Sequence, residues 1–380
     1  MGHDHRSSID VLAERFRDFG ATAASRAPLY GRLSLAVADD PEVLALLQVA
    51  EDEQAIPVLL FAAVHHVLLA EPDAPLANHY PNLVAAPSTA DPWPTFRHFA
   101  LMHADEIRDT VSTRHTQTNE IGRCSLFLPA LGLVEHEIGP LSLIDVGTSA
   151  GLNLLIDRYQ YDYGPSGSVR PDRPGGPDGS VVLACAVSGT VPVPTAMPVV
   201  AAAIGIDPKP IDVHDATEVR WLEACVWPDQ LDRFQRLVAA VAIAREHGVD
   251  VRRGDAVDDL AAAVSEATQH GHPMVMNSWV LNYLTPARRE EYVAELDAIG
   301  SHTDLSWVLA ESPSQTSGLP IPTTAVPEDL TVLSLVRWRD GTRIIQRLAT
   351  CHPHGYTMRW DPWPEDLTRR AIDEGDRPPG

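Results

Sequence analysis

The chain has 380 residues, of which 44% are hydrophobic and 21% charged, so it can bury one large core or two ordinary ones. Its formal net charge of -23 disfavours nucleic acid as a general partner, because so acidic a surface would not neutralise phosphates. The cysteines lie far apart and form no C-x-x-C pair, which indicates a reducing compartment and argues against a thiolate zinc site. They are Cys124, Cys185, Cys225 and Cys351.

The sequence indicates neither a signal peptide for export nor a membrane-spanning segment. The first residues, MGHDHRSS, lack the charged and apolar regions of a signal peptide. The most apolar stretch, Ala55–Ala70, is too short to span a bilayer and contains two histidines. We therefore expect a cytoplasmic protein that acts on a small-molecule substrate, with neither nucleic acid nor a membrane as partner.

The first third of the chain has helical periodicity, from Ile9 to about Val134. The stretch Pro57–Leu69 is apolar nearly all round, which predicts a buried helix. The segment Asp91–Phe96 begins another helix, which we expect to continue to about Thr113. Residues 1–138 are therefore predicted to form a helical N-terminal domain, or a helical cap on the rest of the chain.

A polar stretch, HTQTNEIGRC from His115 to Cys124, ends this region. One interpretation is the capped start of a helix over Glu120–Leu133, with Thr118 or Asn119 as the cap. The other is a loop that closes over a ligand, in which Arg123 binds a carboxylate through two hydrogen bonds.

The stretch Leu141–Asn153, LSLIDVGTSAGLN, predicts a strand, a tight glycine loop and a helix. A dinucleotide site has the spacing G-x-G-x-x-G, whereas here Ser149 stands at the middle glycine position. Asp145, at the end of the strand, would repel a diphosphate but suits a ligand with an ammonium or sulfonium group. An ordinary strand-to-helix turn without a ligand is the alternative.

The pattern D-x-G-x-x-x-G resembles the first motif of the class I S-adenosylmethionine-dependent methyltransferases. Together, TQTNE-x-G-R, DVGTSAGLNL and the later RGDA also resemble a bacterial family known only as a domain of unknown function, over nearly the whole chain. The resemblance implies an α/β fold with a Rossmann-like, class I methyltransferase-type sheet over 139–365, an N-terminal helical cap and a flexible C-terminal tail, 366–380. The resemblance to the methyltransferases implies S-adenosylmethionine as cofactor. The resemblance to the family of unknown function implies no activity, but it implies that the TQTNE stretch and the glycine loop belong to one site. The expected cofactor-binding residues are Asp145, Gly147, Ser149, Gly151, Asn153, Asn119 and Arg123.

Two further acids match positions that contact the cofactor in methyltransferases. The predicted strand Val181–Val187 ends without the acid that would bind the ribose hydroxyls, so Asp207 is the substitute, although the alanines before it suit a helix as well as a strand. Asp255 follows the short strand predicted from Val249 and matches the residue that receives the adenine amino group; a surface turn is the alternative.

The next predicted strand, Met274–Met276, leads into Asn277 and Trp279. In methyltransferases this loop faces the methyl group and the substrate, so Asn277 is expected to place the substrate and Trp279 to shield the sulfonium by a cation–π contact. A plain core position for Trp279 is the alternative.

The chain then predicts a fifth strand, Leu305–Ala310, and a β-hairpin of Leu330–Trp338 and Arg343–Thr350 with a D-G turn. The motif His352-Pro-His354 lacks partners for a metal and is interpreted as a loop. No metal site is expected from these patterns.

These observations favour methyl transfer from S-adenosylmethionine to a small molecule, in which positioning supplies most of the catalysis. A hydroxyl or amine acceptor needs a base, for which Glu120, His115 and Asp157 are candidates. The alternatives are a non-catalytic adenosyl-ligand-binding protein, suggested by the missing ribose acid and middle glycine, and an NAD-dependent oxidoreductase.

Overall fold

The computed structural model describes residues 8–172, 181–316, 319 and 326–362, so the predicted tail 366–380 lies outside the described residues. The chain forms two compact units. The first contains the residues up to Thr118 together with His214–Val238, and the second contains Asn119–Val213 together with the residues from Ala239 onward. The TQTNE stretch is thus divided between the units after Thr118.

Eleven α-helices are described. They are α1 (Ser8–Ala23), α2 (Pro28–Ala38), α3 (Pro41–Leu44), α4 (Pro57–Ala70), α5 (Trp93–Met102), α6 (Ala104–Thr113), α7 (Cys124–Ile138), α8 (Ala216–Cys225), α9 (Leu231–His247), α10 (Leu260–Ala267) and α11 (Pro286–Gly300).

Twelve β-strands are described. They are β1 (Leu141–Val146), β2 (Gln160–Asp162), β3 (Ser168–Val169), β4 (Val182–Ala184), β5 (Ala186–Ser188), β6 (Val200–Asp207), β7 (Val251–Arg253), β8 (His272–Ser278), β9 (Leu305–Glu311), β10 (Thr331–Arg339), β11 (Thr342–Cys351) and β12 (Thr357–Trp360).

The first unit is helical, as its periodicity predicts. Helix α4 is buried on all sides, which confirms the prediction for Pro57–Leu69. The helix predicted from Asp91 to Thr113 is instead two helices, α5 and α6, separated at His103. Asp105 and Glu106 lie in the first turn of α6, where their charges stabilise a new helix N-terminus through its dipole.

A histidine inside the first unit is fully paired. The side chain of His65 is wholly buried, and its Nδ1 lies 3.1 Å from the carbonyl oxygen of Ala224. Its Nε2 lies 3.0 Å from Nδ2 of Asn82, so Nδ1–H donates to the carbonyl and Nε2 accepts from the amide. Burial lowers the pKa of His65 to about 4, which keeps the ring neutral.

The second unit is built on a mixed, mostly parallel sheet of nine strands, in the order β5-β12-β11-β10-β9-β8-β1-β6-β7. The five strands β7, β6, β1, β8 and β9 run parallel. The predicted hairpin is confirmed as β10 and β11, and Asp340 (φ +49°) and Gly341 (φ +74°) form its turn. Strands β12 and β5 extend the sheet beyond it.

One of the two strands that pair with β1 is β6, which ends at Asp207. The helical alternative for this stretch is therefore wrong, because its residues pair in register with those of β1. The single strand predicted over Val181–Val187 is also wrong: this stretch forms two short strands, with β4 in a separate three-stranded sheet and β5 at one end of the large sheet. Such a break changes no hydrophobic pattern, so the sequence did not signal it.

The α-helix predicted after Asn153 is replaced by a 3₁₀ segment, Leu152–Arg158, with non-helical backbone at Leu155. Two tyrosines just beyond this segment explain the difference. The hydroxyl of Tyr159 donates to the carbonyl of Leu152 at 2.7 Å, and that of Tyr161 donates to the carbonyl of Ile156 at 2.6 Å. These donors satisfy carbonyls that an α-helix would satisfy with its own amides.

Helices cover both faces of the parallel strands, as continuous apolar strands require. Inner residues of α10 and α11, such as Leu260 and Leu296, share one core cluster with Val275 and Trp307 of the sheet. Helix α7 packs against β9. Since alternate residues of β9 face opposite sides and all are buried, α7 covers the side away from that cluster. Among the described residues, no helix combines the length and apolarity needed to cross a membrane.

Candidate functional site

The carboxyl ends of β1 and β8 form a topological switch point. The chain leaves β1 for β6 on one side, and it later returns to β8 on the other side of β1. In open parallel sheets, the connections on either side of such a point diverge and leave a crevice for ligands at the carboxyl edge. The loops after β1 and β8 therefore border the expected ligand crevice.

The loop after β1 takes left-handed backbone at three positions: φ is +73° at Gly147, +54° at Ser149 and +72° at Gly151. For a residue with a Cβ, such as Ser149, this conformation costs about 1–2 kcal/mol. A Cβ built at Gly147 would lie 2.5 Å from the Val280 side chain, so the loop after β8 packs directly on the loop after β1.

Asp207 holds the β1 loop in place. One carboxylate oxygen accepts the backbone N–H of Ser149 at 2.8 Å, and the other accepts the backbone N–H of Lys209, also at 2.8 Å. The first bond fixes the strained Ser149 to the end of the neighbouring strand, and the second fixes the chain just beyond that end. The carboxylate proposed from the sequence as a ribose ligand thus lies at the expected edge, with one backbone donor on each oxygen.

Asp145 lies at the end of β1 and is only 3% exposed. The hydroxyl of Thr148 donates to its Oδ2 at 2.7 Å. Burial, helped by the negative charge of Asp207, raises the pKa of Asp145 to about 7, although the Thr148 hydrogen bond and the positive charge of Arg123 act in the opposite direction. The carboxyl group can therefore lose its proton near neutral pH, most readily when a cation binds beside it.

A second buried acid, Glu311, ends β9. Its Oε1 accepts the side-chain amide of Asn277 at 2.6 Å and the backbone N–H of Val280 at 2.9 Å. The carbonyl oxygen of the Asn277 side chain accepts the indole N–H of Trp307 at 2.5 Å. Both the nitrogen and the oxygen of the Asn277 amide therefore bind protein groups. In the structure, Asn277 bridges β8 and β9.

Trp279 follows β8 with φ at +55°. Its backbone N–H donates to the carbonyl of Ala310 at 3.1 Å, and its indole N–H donates to Oγ1 of Thr331 at 2.8 Å. Within the described part of the chain, positive φ occurs at three non-glycine residues: Trp279, Ser149 and the hairpin residue Asp340. Strain outside a hairpin turn marks functional positions in many proteins, and here it occurs in both loops of the switch point.

Arg123, just before α7, binds this edge of the sheet. It is 5% exposed, and its Nε donates to the carbonyl of Pro353 at 2.9 Å. Its Nη1 lies 3.0 Å from the carbonyl oxygen and 3.3 Å from the hydroxyl oxygen of Ser278. The guanidinium charge lowers the pKa of both Asp145 and Glu311. Two of its nitrogens thus bind the protein itself.

Glu120 and His354 form a pair at the same place. Glu120 is 3% exposed, and its Oε1 accepts the backbone N–H of Gly122, so Glu120 caps the start of the helical segment in place of Thr118 or Asn119. Its Oε2 lies 3.6 Å from Nδ1 of His354. A carboxylate beside an imidazole can orient the ring and stabilise its protonated form, as an acid–base pair requires.

Two glycines allow this pairing. A Cβ built at Gly355 would lie 2.0 Å from the carbonyl oxygen of Gly122, and one built at Gly122 would lie 2.4 Å from the carbonyl oxygen of His354. Only glycine at both positions lets the two backbones touch, and Gly355 also has a φ of +77°. The turn between β11 and β12, interpreted from sequence as an ordinary loop, is therefore part of the candidate site.

The remaining predicted residues of the second unit lie in different surroundings. Asn153 accepts a weak hydrogen bond from the thiol of Cys124 at 3.4 Å, and burial raises the pKa of that thiol well above its ordinary value. The Nδ2 atom of Asn119 is buried without a hydrogen-bond partner in the described residues. Asp255 accepts the backbone amide of Val257 at 2.8 Å and pairs with Arg288, which matches the surface-turn alternative.

His115 belongs to the first unit, where its ring is 44% exposed and its Nε2 lies 3.9 Å from Glu51. Its carbonyl oxygen accepts the indole N–H of Trp221 at 3.1 Å. Asp157, the remaining candidate base, lies in the second unit, and burial raises its pKa. Among the described residues, no group of three or more His, Cys, Asp or Glu side chains is arranged to hold a metal ion.

The structure thus assembles part of the predicted set in one place and adds residues to it. The predicted residues of the second unit that meet at the carboxyl edge come from 119–123, from the ends of β1, β6 and β8 and from the loops after β1 and β8. Glu311 and His354 were not among the predicted site residues. Glu311 had a signal, since it is an acid that closes an otherwise apolar strand, LSWVLAE. His354 had only the nearby glycine as a signal.

Comparison with known proteins gives a family. A family model described as an uncharacterised protein conserved in bacteria, DUF2332, matches residues 13–360, so the chain belongs to that family. No curated protein matches the chain. No solved structure matches it either.

Proposed function

We propose that this DUF2332 protein binds S-adenosylmethionine at the carboxyl edge of its sheet and transfers the methyl group to a small molecule. The observation that carries the proposal is the pairing of two strained loops with a buried acid, Asp145, at the switch point between β1 and β8. The position is the one at which open parallel sheets bind nucleotide-like ligands.

The residues present fit a ligand of this kind. Asp145 is a buried acid whose pKa, raised to about 7 chiefly by burial, would return toward its ordinary value beside a cation. S-adenosylmethionine carries two positive groups, an ammonium and a sulfonium, which Asp145 and Asp207 would attract. The same two acids would repel the diphosphate of a dinucleotide. When bound, S-adenosylmethionine supplies an activated methyl group, which an acceptor displaces in line from sulfur.

The chain's own residues would bind and position the reactants. Asp145 would hold the ammonium group of the ligand, and Asp207 would offer its remaining lone pairs to the ribose hydroxyls. For a hydroxyl acceptor, the Glu120–His354 pair would accept the proton at the imidazole, since the 3.6 Å separation can tighten once a ligand excludes water. Orientation in a dry cleft supplies most of the rate increase for such a displacement.

A non-catalytic adenosyl-ligand-binding protein is the second candidate. It is favoured by Asp207, whose two carboxylate oxygens already accept backbone amides. It is also favoured by the 3₁₀ segment Leu152–Arg158, which replaces the helix expected after the glycine loop. Ligand binding without formation of S-adenosylhomocysteine in the presence of acceptors would support this candidate over an enzyme.

Calorimetric titration with S-adenosylmethionine, S-adenosylhomocysteine and NAD tests the proposal. We expect micromolar binding, about -8 kcal/mol, for the two adenosyl ligands and none for NAD. Asp145→Asn should weaken both adenosyl ligands by about 1–3 kcal/mol, because their ammonium group loses a charged partner. Asp340→Asn, in the hairpin turn, is the matched control. Binding of NAD alone would favour an oxidoreductase and exclude the proposal, and the absence of binding by all three ligands would also refute it.

A further inference from the structure

We propose that Glu311 is a seat for a protonated amine, and that the ligand carrying this amine is the methyl acceptor. The first part rests on the surroundings of Glu311 alone. The second part rests on the proposed function.

The hydrogen bonds to the carboxylate of Glu311 from Asn277 and from the backbone of Val280 both fall on the same oxygen, Oε1. Its Oε2 is buried and has no hydrogen-bond partner among the described residues. Two donors on one oxygen fix the orientation of the group, which leaves the other oxygen as an oriented acceptor. An unsatisfied buried carboxylate oxygen is costly and calls for a partner.

The charges around Glu311 favour a cation as that partner. The side chain is 0% exposed, so water does not solvate its charge. Burial raises the pKa of Glu311 to about 7, although hydrogen bonding from Val280, Asn277 and the backbone of Leu281 and the charge of Arg123 act in the opposite direction. The charges of Glu311 and Asp145 both contribute, after burial, to raising the pKa of the Tyr292 phenol, so the two acids lie near the same side chain. The buried edge thus holds two acids near one guanidinium.

The chemistry of the seat selects an organic cation. The described residues include no group of three or more metal-ligating side chains of the kind that would hold a metal ion. An ammonium group needs only one oriented carboxylate and can form a short, charge-assisted hydrogen bond to it. Neutral hydroxyl groups would satisfy Oε2 less well, because they bring no charge.

The position of the seat links it to methyl transfer. Glu311 binds Val280, and the side chain of Val280 packs on the backbone of Gly147 in the glycine loop. An amine must lose a proton before its lone pair can attack. In the proposed step the ammonium proton passes to Oε2 of Glu311, the amine nitrogen forms a bond to the methyl carbon, and the carbon–sulfur bond breaks with its electron pair left on sulfur. The proton is released to solvent with the products.

The test uses methylammonium as probe and the full-length protein. In amide-detected NMR, the side-chain amide of Asn277 and the backbone amide of Val280 report on Glu311, because both donate to it. We expect methylammonium chloride to shift both signals saturably, and methanol at equal concentration or sodium chloride at equal ionic strength to leave them unchanged.

Glu311→Gln is the decisive variant. The amide keeps an oxygen for Val280 and Asn277 and replaces Oε2 with a donor, so the fold is retained while the seat is lost. We expect methylammonium affinity to fall by about tenfold or more. Glu290→Gln on the exposed face of α11 is the control and should bind as the wild type does. No saturable shift in the wild-type protein, or an equal shift in Glu311→Gln, would overturn the proposal.

The two proposals fail separately. Methylammonium binding through Glu311 in a protein that binds no adenosyl ligand would keep the seat and remove the methyltransferase. Adenosyl-ligand binding without methylammonium binding would do the reverse. If both bind, S-adenosylhomocysteine should form with small primary amines, and Glu311→Gln should abolish this formation while leaving the affinity for S-adenosylmethionine within about twofold of the wild type.

Discussion

Asp145→Asn should stabilise the protein at alkaline pH while it weakens ligand binding. The carboxyl group is buried at the end of β1, and the Thr148 hydroxyl donates to it. An asparagine amide fills the same space, and its oxygen can accept the same hydrogen bond. What it removes is the cost of a buried negative charge. The acid would then be retained for function at the expense of stability, as at many active sites.

The size and sign of the effect are set by the pKa. Burial raises it from 3.8 to about 7 in the folded protein, so between these values the folded state keeps a proton that the unfolded chain has released. The unfolding free energy of the wild type therefore falls by about 1.4 kcal/mol per pH unit across this window, because the folded state binds more protons. Below it the term is absent, and above pH ~7 the accumulated loss is about 4 kcal/mol.

Urea unfolding from pH 4 to pH 8.5 measures this difference directly. We expect the stability of Asp145→Asn relative to the wild type to be near zero at the acid end and to rise to a few kcal/mol above pH ~7. Asp340→Asn is the matched acid-to-amide control, since residue 340 is exposed in the hairpin turn, and its stability should run parallel to the wild type. A difference that is constant with pH, or a variant less stable than the wild type at pH 8.5, would refute the reasoning.

Three further predictions concern packing and burial. Gly355→Ala should lower the free energy of unfolding by more than about 2 kcal/mol, measured by thermal unfolding, since its Cβ would lie 2.0 Å from a carbonyl oxygen. Gly164→Ala also has a left-handed φ, but its Cβ would meet nothing within 4 Å in the described structure, so it should lower that free energy by only about 1 kcal/mol. Equal losses would contradict the close approach. Arg123→Lys should destabilise by about 1–3 kcal/mol, because lysine cannot bind Pro353 and the strand end together; an unchanged urea midpoint would remove that role. His65, with its pKa lowered by burial from 6.5 to about 4, should stay neutral by NMR at pH 5, and the stability it confers should be full above pH 6.5 and decline as pH falls toward 4.

The sequence by itself determined the layout of the second unit along the chain. Alternation and apolar runs identify β1, β8, β9 and the hairpin, and the D-G turn is explicit because only a few residue types adopt left-handed backbone at both turn positions. The buried helix α4 was equally clear, since no polar face interrupts it. Such patterns are local, so a single chain displays them.

Only the tertiary structure decided which groups meet. The sequence could not show that Asp207 ends the strand beside β1, because pairing of β6 with β1 is a long-range choice. It could not show the 3₁₀ segment after the glycine loop, since tyrosines seven and five residues further along satisfy the carbonyls there. The contact between Gly122 and Gly355 joins parts of the chain that are far apart in sequence, and it helps to bring His354 to Glu120. Strand order and backbone contact of this kind depend on the packing of the whole sheet, and no local pattern of residue types encodes them.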